Sequence, residues 1–406
     1  MAEIKIPAVE ETIEVDRIIG NLEGPEDGPL VIFFGGIHGN EPSGVYALQE
    51  VLQEIERDKL ELHGSVLAIS GNLWALEHSQ RYETTDLNRL WTRDRVENLR
   101  LNGIKYATED ERQQQQLFEL IDTVLEGDKG PLYFFDLHTT SAHTAPFITV
   151  NDSLLNRRFT KQYPVPLILG IEEYLEGPLL SYINELGYVS FGFEGGQHDS
   201  LEAIKNHKVF IYLSLVFAGV LDKSQVPFSD YMHYLQSINP LPGSFYEIYD
   251  RHEIQKEERF EMLPGFTNFQ QVSQGTVIAK SNGQDLVVEK DSLLFMPLYQ
   301  NQGDDGFFLI RSIPTVLLWL SALLRKIKVD RIFLLLPGVS WHSSEKEAMS
   351  VNLKIARWVA RELFHLFGYR SKKYDQNYLL ISNRETKSRT PEYRFEDWYD
   401  GRFAAK

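Results

Sequence analysis

Apolar and polar positions along this chain alternate between two rhythms. Continuous apolar runs at residues 30–34, 66–70 and 132–136 predict strands covered on both faces, as in the middle of a sheet. Between them, apolar residues recur at helical spacing. Val45, Leu48, Val51, Leu52 and Ile55 share one face of a helix over about 42–59, and residues 108–126 give a second helix. Strands at 167–170 and 188–193 and a helical run at 198–220 continue the pattern. Strand–helix alternation to about residue 225 predicts an α/β domain whose mixed, mainly parallel sheet is flanked by helices. Ahead of it, residues 9–23 read as a short strand pair, with the Gly/Pro-rich stretch 24–29 as the turn.

The rhythm changes near residue 240. Asn239-Pro-Leu-Pro-Gly243 reads as a linker, and short alternating segments follow, with turn signals at Gly275, Ser281-Asn-Gly283 and Gly303-Asp-Asp-Gly306. They predict a small all-β domain. Residues 313–406 change again, to a helix (about 314–326), a strand (331–336), a long helix (about 345–367) and a strand (378–382) before a charged, aromatic tail. The expected division is 1–238, 239–312 and 313–406, the last an α/β C-terminal extension. On its long helix Val351, Ile355, Trp358, Val359, Leu363, Leu366 and Phe367 form one stripe. Such a stripe needs cover from the chain's own body or from a second copy. The extension is therefore expected to be structural or an assembly element, and homo-oligomerisation stays open.

A chain of 406 residues is long enough for two or three domains. It has no cysteine, which excludes disulfides, thiolate ligands and a cysteine nucleophile, and which fits a reducing compartment. The first residues lack the basic and apolar regions of a signal peptide. The most apolar stretch, 313–324, is too short to span a bilayer and runs into Arg325 and Lys326. A soluble, cytoplasmic protein with no membrane partner is the expectation. The net charge of −17 argues against nucleic-acid binding, which needs a basic face. It also requires that an anionic substrate be captured by local arginines.

Chemistry concentrates in four short segments. In Gly35-Gly-Ile-His-Gly-Asn-Glu41, His38 and Glu41 are placed just after a strand, where a loop can turn both side chains to one point. Alone, His-x-x-Glu would more often be a polar loop capping a helix; the glycine-rich context strengthens the ligand reading. His138 ends a second apolar run, and Asp136 two residues earlier can hold its other ring nitrogen. Two imidazoles and one carboxylate suit a catalytic zinc, one per chain, with a position left open. Arg81-Tyr-Glu-Thr-Thr-Asp-Leu-Asn-Arg89 supplies guanidinium forks for a carboxylate or an oxyanion, although such a stretch alone would more often be a solvated loop. Glu194, after a strand and before two glycines, fits a general base. The other histidines lack ligand spacing, with His143 and His198 as exceptions flanking the site segments.

Gly-Gly-x-His-Gly-Asn-Glu, Asp-Leu-Asn-Arg, Asp-Leu-His-Thr and Glu-Gly-Gly, in this order, resemble the succinylglutamate desuccinylase/aspartoacylase family of the zinc carboxypeptidase clan. Pro264-Gly-Phe-Thr-Asn-Phe269 and Met296-Pro-Leu-Tyr-Gln300 resemble that family's C-terminal β domain, so the likeness covers about residues 15–312. The resemblance implies a zinc-carboxypeptidase-like fold with the β domain closing over the site, zinc on His38, Glu41 and His138, and Glu194 as base. It implies that Arg81 polarises the scissile carbonyl, that Asn88 and Arg89 hold a substrate carboxylate, and that Tyr299 reaches into the pocket. The implied reaction is hydrolysis of the amide of a small N-acyl amino acid. Two departures stand out. No arginine near 174–180 matches the one aspartoacylase uses for a second carboxylate, and 313–406 has no counterpart. The rival readings are a metallocarboxypeptidase acting on short peptides, which would need a wide open cleft, and a non-catalytic binding protein, which would have lost a ligand or the base.

Overall fold

The computed structural model describes the chain except residues 26, 103–105, 128–129, 240, 327–336, 343–347, 353–368, 374–377 and 400–406. Strands β1 (Ala2–Ile6) and β2 (Glu11–Val15) form a two-stranded antiparallel sheet. Seven strands of the main sheet follow: β3 (Ile18–Glu23), β4 (Leu30–Gly35), β5 (Ser65–Ser70), β6 (Leu132–Thr140), β7 (Phe147–Val150), β8 (Leu167–Leu169) and β9 (Val189–Gln197). Four more come from β10 (Phe245–Glu253), β12 (Gln271–Val272), β15 (Ser292–Phe295) and β16 (Asp305–Ser312). The eleven are ordered β12-β15-β16-β10-β8-β7-β9-β6-β4-β5-β3. Its centre is parallel: β5, β4, β6 and β9 run the same way, and β7, β8 and β10 form a second parallel group that meets β9 antiparallel.

The helices are α1 (Ser43–Asp58), α2 (Leu73–His78), α3 (Arg93–Asn102), α4 (Glu109–Glu126), α5 (Leu154–Thr160), α6 (Leu179–Glu185), α7 (Leu201–Phe217), α8 (Phe228–Ile238) and α9 (Thr315–Lys326), among the described residues. They cover both faces of the sheet, and the two-residue period of β6 shows how. Tyr133 and Phe135 enter one core with Leu48 and Val51 of α1 and Phe210 of α7. Leu132 and Phe134 enter the opposite core with Leu117, Phe118 and Ile121 of α4. A strand buried on both faces must be apolar throughout, which is why its sequence shows no alternation.

Three expectations change. Residues 11–15 and 18–23 do not pair with each other: β2 pairs β1, and β3 pairs β5. The corner between them is tied to β5, with Ser70 N–H donating to Arg17 O (2.9 Å) and Ser70 Oγ–H to Asp16 O (2.8 Å). Residues 239–312 supply four strands to the main sheet through the parallel β8–β10 contact, besides a three-stranded sheet of β11 (Phe260–Met262), β13 (Val277–Ser281) and β14 (Gln284–Val287). In the extension, β17 (Val339–Trp341), β18 (Ala348–Asn352), β19 (Tyr369–Lys373) and β20 (Tyr378–Asn383) make an antiparallel sheet. Residues 348–352, read as the start of the long helix, are thus a strand: β18 is a central strand bonded to β17 and β20, and those ladders override its helical spacing. The rest of that helix, 353–367, and the strand at 331–336 lie outside the described residues.

Candidate active site

The site lies where β4, β6 and β9 end. Beyond β4 the chain turns at Gly36 (φ 71°), and a Cβ on Gly39 would fall 2.0 Å from the Ala75 carbonyl carbon, so only glycine permits the loop to pack there. Glu41 N–H donates to His38 O (3.1 Å), closing a turn that presents both side chains on one side. His138 and Glu194 sit inside β6 and β9 rather than after them, because both strands run longer than their apolar runs. Asp136 and His138 are two residues apart on one strand and therefore share a face.

His38, Glu41 and His138 are brought together, all three buried, with ligand atoms within 4.8 Å of one another. Glu41 is the hub: Oε1 lies 2.9 Å from His38 Nδ1, and Oε2 lies 3.1 Å from His138 Nδ1. Each imidazole is held from behind by a carboxylate, His38 Nε2 by Asp86 Oδ1 (3.0 Å) and His138 Nε2 by Asp136 Oδ2 (2.7 Å). Such backing fixes ring orientation and leaves the two Nδ1 atoms facing inward. Thr139 N–H donates to Glu41 Oε2 (2.8 Å), and Arg81 bonds both Glu41 (3.2 Å) and Asp86 (3.2 Å).

The electrostatics follow from burial. Burial works to raise the Glu41 and Asp86 carboxyls, but His38 outweighs it, with His138 at Glu41 and Arg81 at Asp86, and holds both well below the usual range. Burial works to lower His138, yet Asp136 and Glu41 raise it well above the usual imidazole range. Burial pushes the Glu194 carboxyl up to about 8, with Glu41 and Asp136 adding to the push and His138 and Arg81 opposing it. Glu194 Oε2 and Arg81 Nε are buried without a hydrogen-bond partner. Among the described residues, Glu41, Asp86, Asp136 and Glu194 meet one bonded guanidinium, Arg81. A divalent cation between the two Nδ1 atoms and Glu41 fits this donor set and this excess of acid.

A cavity of about 140 Å³ opens from this cluster. Of the anticipated residues, His38, Glu41, Arg81, Asn88, Arg89, His138 and Glu194 line it. Arg89 bonds Asp305 (3.1 Å), and Asn88 Oδ1 accepts from Leu179 N–H (2.9 Å). Tyr299 stands apart. Its hydroxyl donates to Leu263 O (2.7 Å) and accepts from Phe266 N–H (3.0 Å), and the ring is 38% exposed. That turn holds it, and the neighbours Met296, Pro297, Leu298 and Gln300 reach the cavity instead. His143 does not line the cavity.

Asp86, Gln300 and His207 take part although no separate role for them is legible in the sequence, and His198, read as flanking the site segments, joins them. Asp86 lies 48 positions from His38, inside a stretch read as carboxylate-binding. Gln300 Oε1 accepts from Asn40 Nδ2 (2.8 Å) and from His198 Nε2 (3.0 Å), while His198 Nδ1 faces the Thr139 hydroxyl (2.7 Å). His207, pushed down to about 4 by burial, donates from Nε2 to His138 O (3.0 Å). No spacing signal links these residues.

Residues 27–201 match the family model described as the succinylglutamate desuccinylase/aspartoacylase catalytic domain. An aspartoacylase of Danio rerio is 29% identical over 140 residues, 33% of this chain and 41% of that protein. A succinylglutamate desuccinylase of Pseudomonas fluorescens is 30% identical over 117 residues, 29% of this chain and 33% of that protein. The match thus spans well under half the length of these relatives. Among solved structures, a succinylglutamate desuccinylase from Vibrio cholerae superposes with a TM-score of 0.52 at 14% identity, covering 71% of this chain and 82% of that one. A succinylglutamate desuccinylase/aspartoacylase from Rhodobacter sphaeroides gives 0.52 at 17%, covering 75% and 91%. These likenesses show a shared fold. No described helix is long and apolar enough to cross a membrane.

Proposed function

Because this chain belongs to the succinylglutamate desuccinylase/aspartoacylase family, we propose that it is a zinc-dependent amidohydrolase acting on small N-acyl amino acids. The observation that carries the reading is the convergence of His38 Nδ1 and His138 Nδ1 on Glu41, with Glu194 buried beside them. His38, Glu41 and His138 would hold one zinc per chain. Bound there, zinc would serve as a Lewis acid towards the substrate carbonyl and would acidify water.

The chain's own residues supply the rest. Glu194, with an unpartnered oxygen, takes a proton from the attacking water and returns it to the leaving nitrogen. Arg81, tethered by Glu41 and Asp86 but with a free Nε–H, supports the charge that develops on the carbonyl oxygen. Asn88 and Arg89 fix a substrate carboxylate and with it the register of the scissile bond. Residues 296–305 roof the cavity, which favours a small substrate over a peptide lying in an open cleft. We further propose the functional division 1–238 catalytic, 239–312 roof and 313–406 structural or assembly element, in a cytoplasmic protein.

Zinc-loaded protein incubated with a panel of N-acyl amino acids should release free amine, with metal content near one per chain. Turnover of dipeptides with none of N-acyl amino acids would move the reading to a carboxypeptidase.

A further inference from the structure

We propose, on the strength of the deacylase reading above, that the amino-acid part of the substrate carries an uncharged side chain and that the pocket rejects a second carboxylate. The first step is to place that side chain. The segment 175–181 is pinned beside the residues proposed to hold the carboxylate. Leu179 N–H donates to Asn88 Oδ1 (2.9 Å) and Trp91 N–H to Gly177 O (3.0 Å). A Cβ on Gly177 would lie 2.2 Å from Arg89 O, so this wall touches the arginine's own backbone. With a carboxylate on Arg89, the group attached to the same carbon faces this wall.

The wall is neutral. Leu175, Leu180 and Ser181 form it, backed by Thr149, Asn151 and Ser190. Its polar members bond one another: Asn151 Nδ2 lies 3.3 Å from Ser181 Oγ, and Ser190 Oγ–H donates to Leu180 O (3.1 Å). Among the described residues, the guanidinium groups lining the cavity are those of Arg81 and Arg89. Arg81 is committed to Glu41 and Asp86, and Arg89 already shares Asp305. Arg157, Arg251 and Arg384 lie on neighbouring segments but do not line the cavity, and they bond Asp152, Asp305 and Glu172. Asp304 and Asp305 stand beside Arg89 in the same lining. Among the described residues, a second carboxylate would find no donor of opposite charge on the wall, and a buried charge without a partner is strongly disfavoured.

The test uses the full chain loaded with zinc. Initial rates are compared for N-acetylmethionine and N-acetylleucine against N-acetylaspartate and N-acetylglutamate. Separately, thermal shifts are recorded with free methionine, leucine, aspartate and glutamate. The neutral substrates should be preferred in kcat/KM by roughly 100-fold or more, since leaving a buried polar group unpaired discriminates strongly. The neutral amino acids should also raise the melting midpoint more than the acidic ones. Leu175→Arg should narrow the preference. Equal or better turnover of the acidic substrates, or a larger shift with aspartate or glutamate, would overturn the proposal. Absence of turnover with all four would count against the deacylase reading alone, because the thermal shifts still report which charge the wall accepts.

Discussion

His138 and Glu194 are register partners across the parallel β6–β9 pair. A proposed metal ligand and the proposed base are thereby fixed by two adjacent backbones rather than by loops. The expected consequence is a site whose base can be changed without moving the ligands. Glu194→Gln should keep fold and metal content while kcat falls by roughly 10²–10⁴-fold, because the amide cannot accept a proton at neutral pH. Steady-state kinetics with elemental analysis of the same preparation tests it. Near-normal kcat would place the base elsewhere.

The carboxylates behind the imidazoles should matter almost as much as the ligands. His138→Ala removes one of three donors, and metal content should drop sharply. Asp86→Ala frees the His38 ring from its 3.0 Å hydrogen bond and Asp136→Ala frees His138. Each should weaken zinc affinity by about 10–100-fold. Competition with a chelator of known affinity reads this directly, and unchanged affinity in both variants would show that the rings are oriented by packing alone.

Arg81 and Arg89 should separate in kinetics. Arg81 lies against Glu41 and Asp86, next to the proposed reacting carbonyl, so Arg81→Ala should mainly lower kcat. Arg89 bonds Asp305 and neither Glu41 nor Asp86, and Arg89→Ala should mainly raise KM for carboxylate-bearing substrates. The same effect on both constants from both variants would contradict the division.

Much of this arrangement was legible because strands buried on two faces leave an unmistakable apolar run. Leu30–Gly35, Ser65–Ser70 and the start of β6 were visible for that reason, and so was the grouping of His38, Glu41 and His138 near the ends of β4 and β6. What local pattern could not carry was long-range pairing. Val15-Asp16-Arg17-Ile18 looks like a tight hairpin link, yet the hydrogen bonds to Ser70 send the second strand to β5. The same holds for β10, whose sequence says strand but not that it will extend the main sheet from β8. Asp86 escaped notice because its role depends on a ring 48 positions away, and Tyr299 was misplaced because resemblance fixes a position but not a rotamer.

Glu396 offers a pH test away from the site. Burial, with Asp397 adding, pushes its carboxyl up to about 7. A carboxyl raised in the folded state holds its proton more tightly there than in the unfolded chain. Its contribution is fully present below the unfolded value near 4.5 and is lost as pH rises through about 7. Glu396→Gln should therefore raise the melting midpoint at pH 8 relative to the parent and change little at pH 4. A variant no more stable at pH 8 would show that the folded-state carboxyl titrates normally.

The extension should prove inseparable from the catalytic body. Arg384 is buried against Glu172 (3.0 Å) and Glu173, and Arg325 against Asp152 (2.7 Å), acids that follow β8 and β7. Further on, the Tyr393 hydroxyl accepts from Val189 N–H (3.2 Å) and donates to Leu132 O, joining the first residues of β9 and β6. Trp398 Nε1–H donates to the Tyr133 hydroxyl (2.9 Å) within the same core. These contacts hold the two strands that carry Glu194 and His138. Removing Arg384 takes a buried guanidinium away from Glu172 and Glu173, and Arg384→Ala should destabilise the fold by about 3–5 kcal/mol. Deleting 313–406 strips Tyr393 and Trp398 from the core as well, and should give insoluble protein. Denaturant unfolding of Arg384→Ala and size-exclusion chromatography of the 1–312 fragment check the two claims. A fragment that is soluble, monodisperse and as thermally stable as the whole chain would make the extension an independent module.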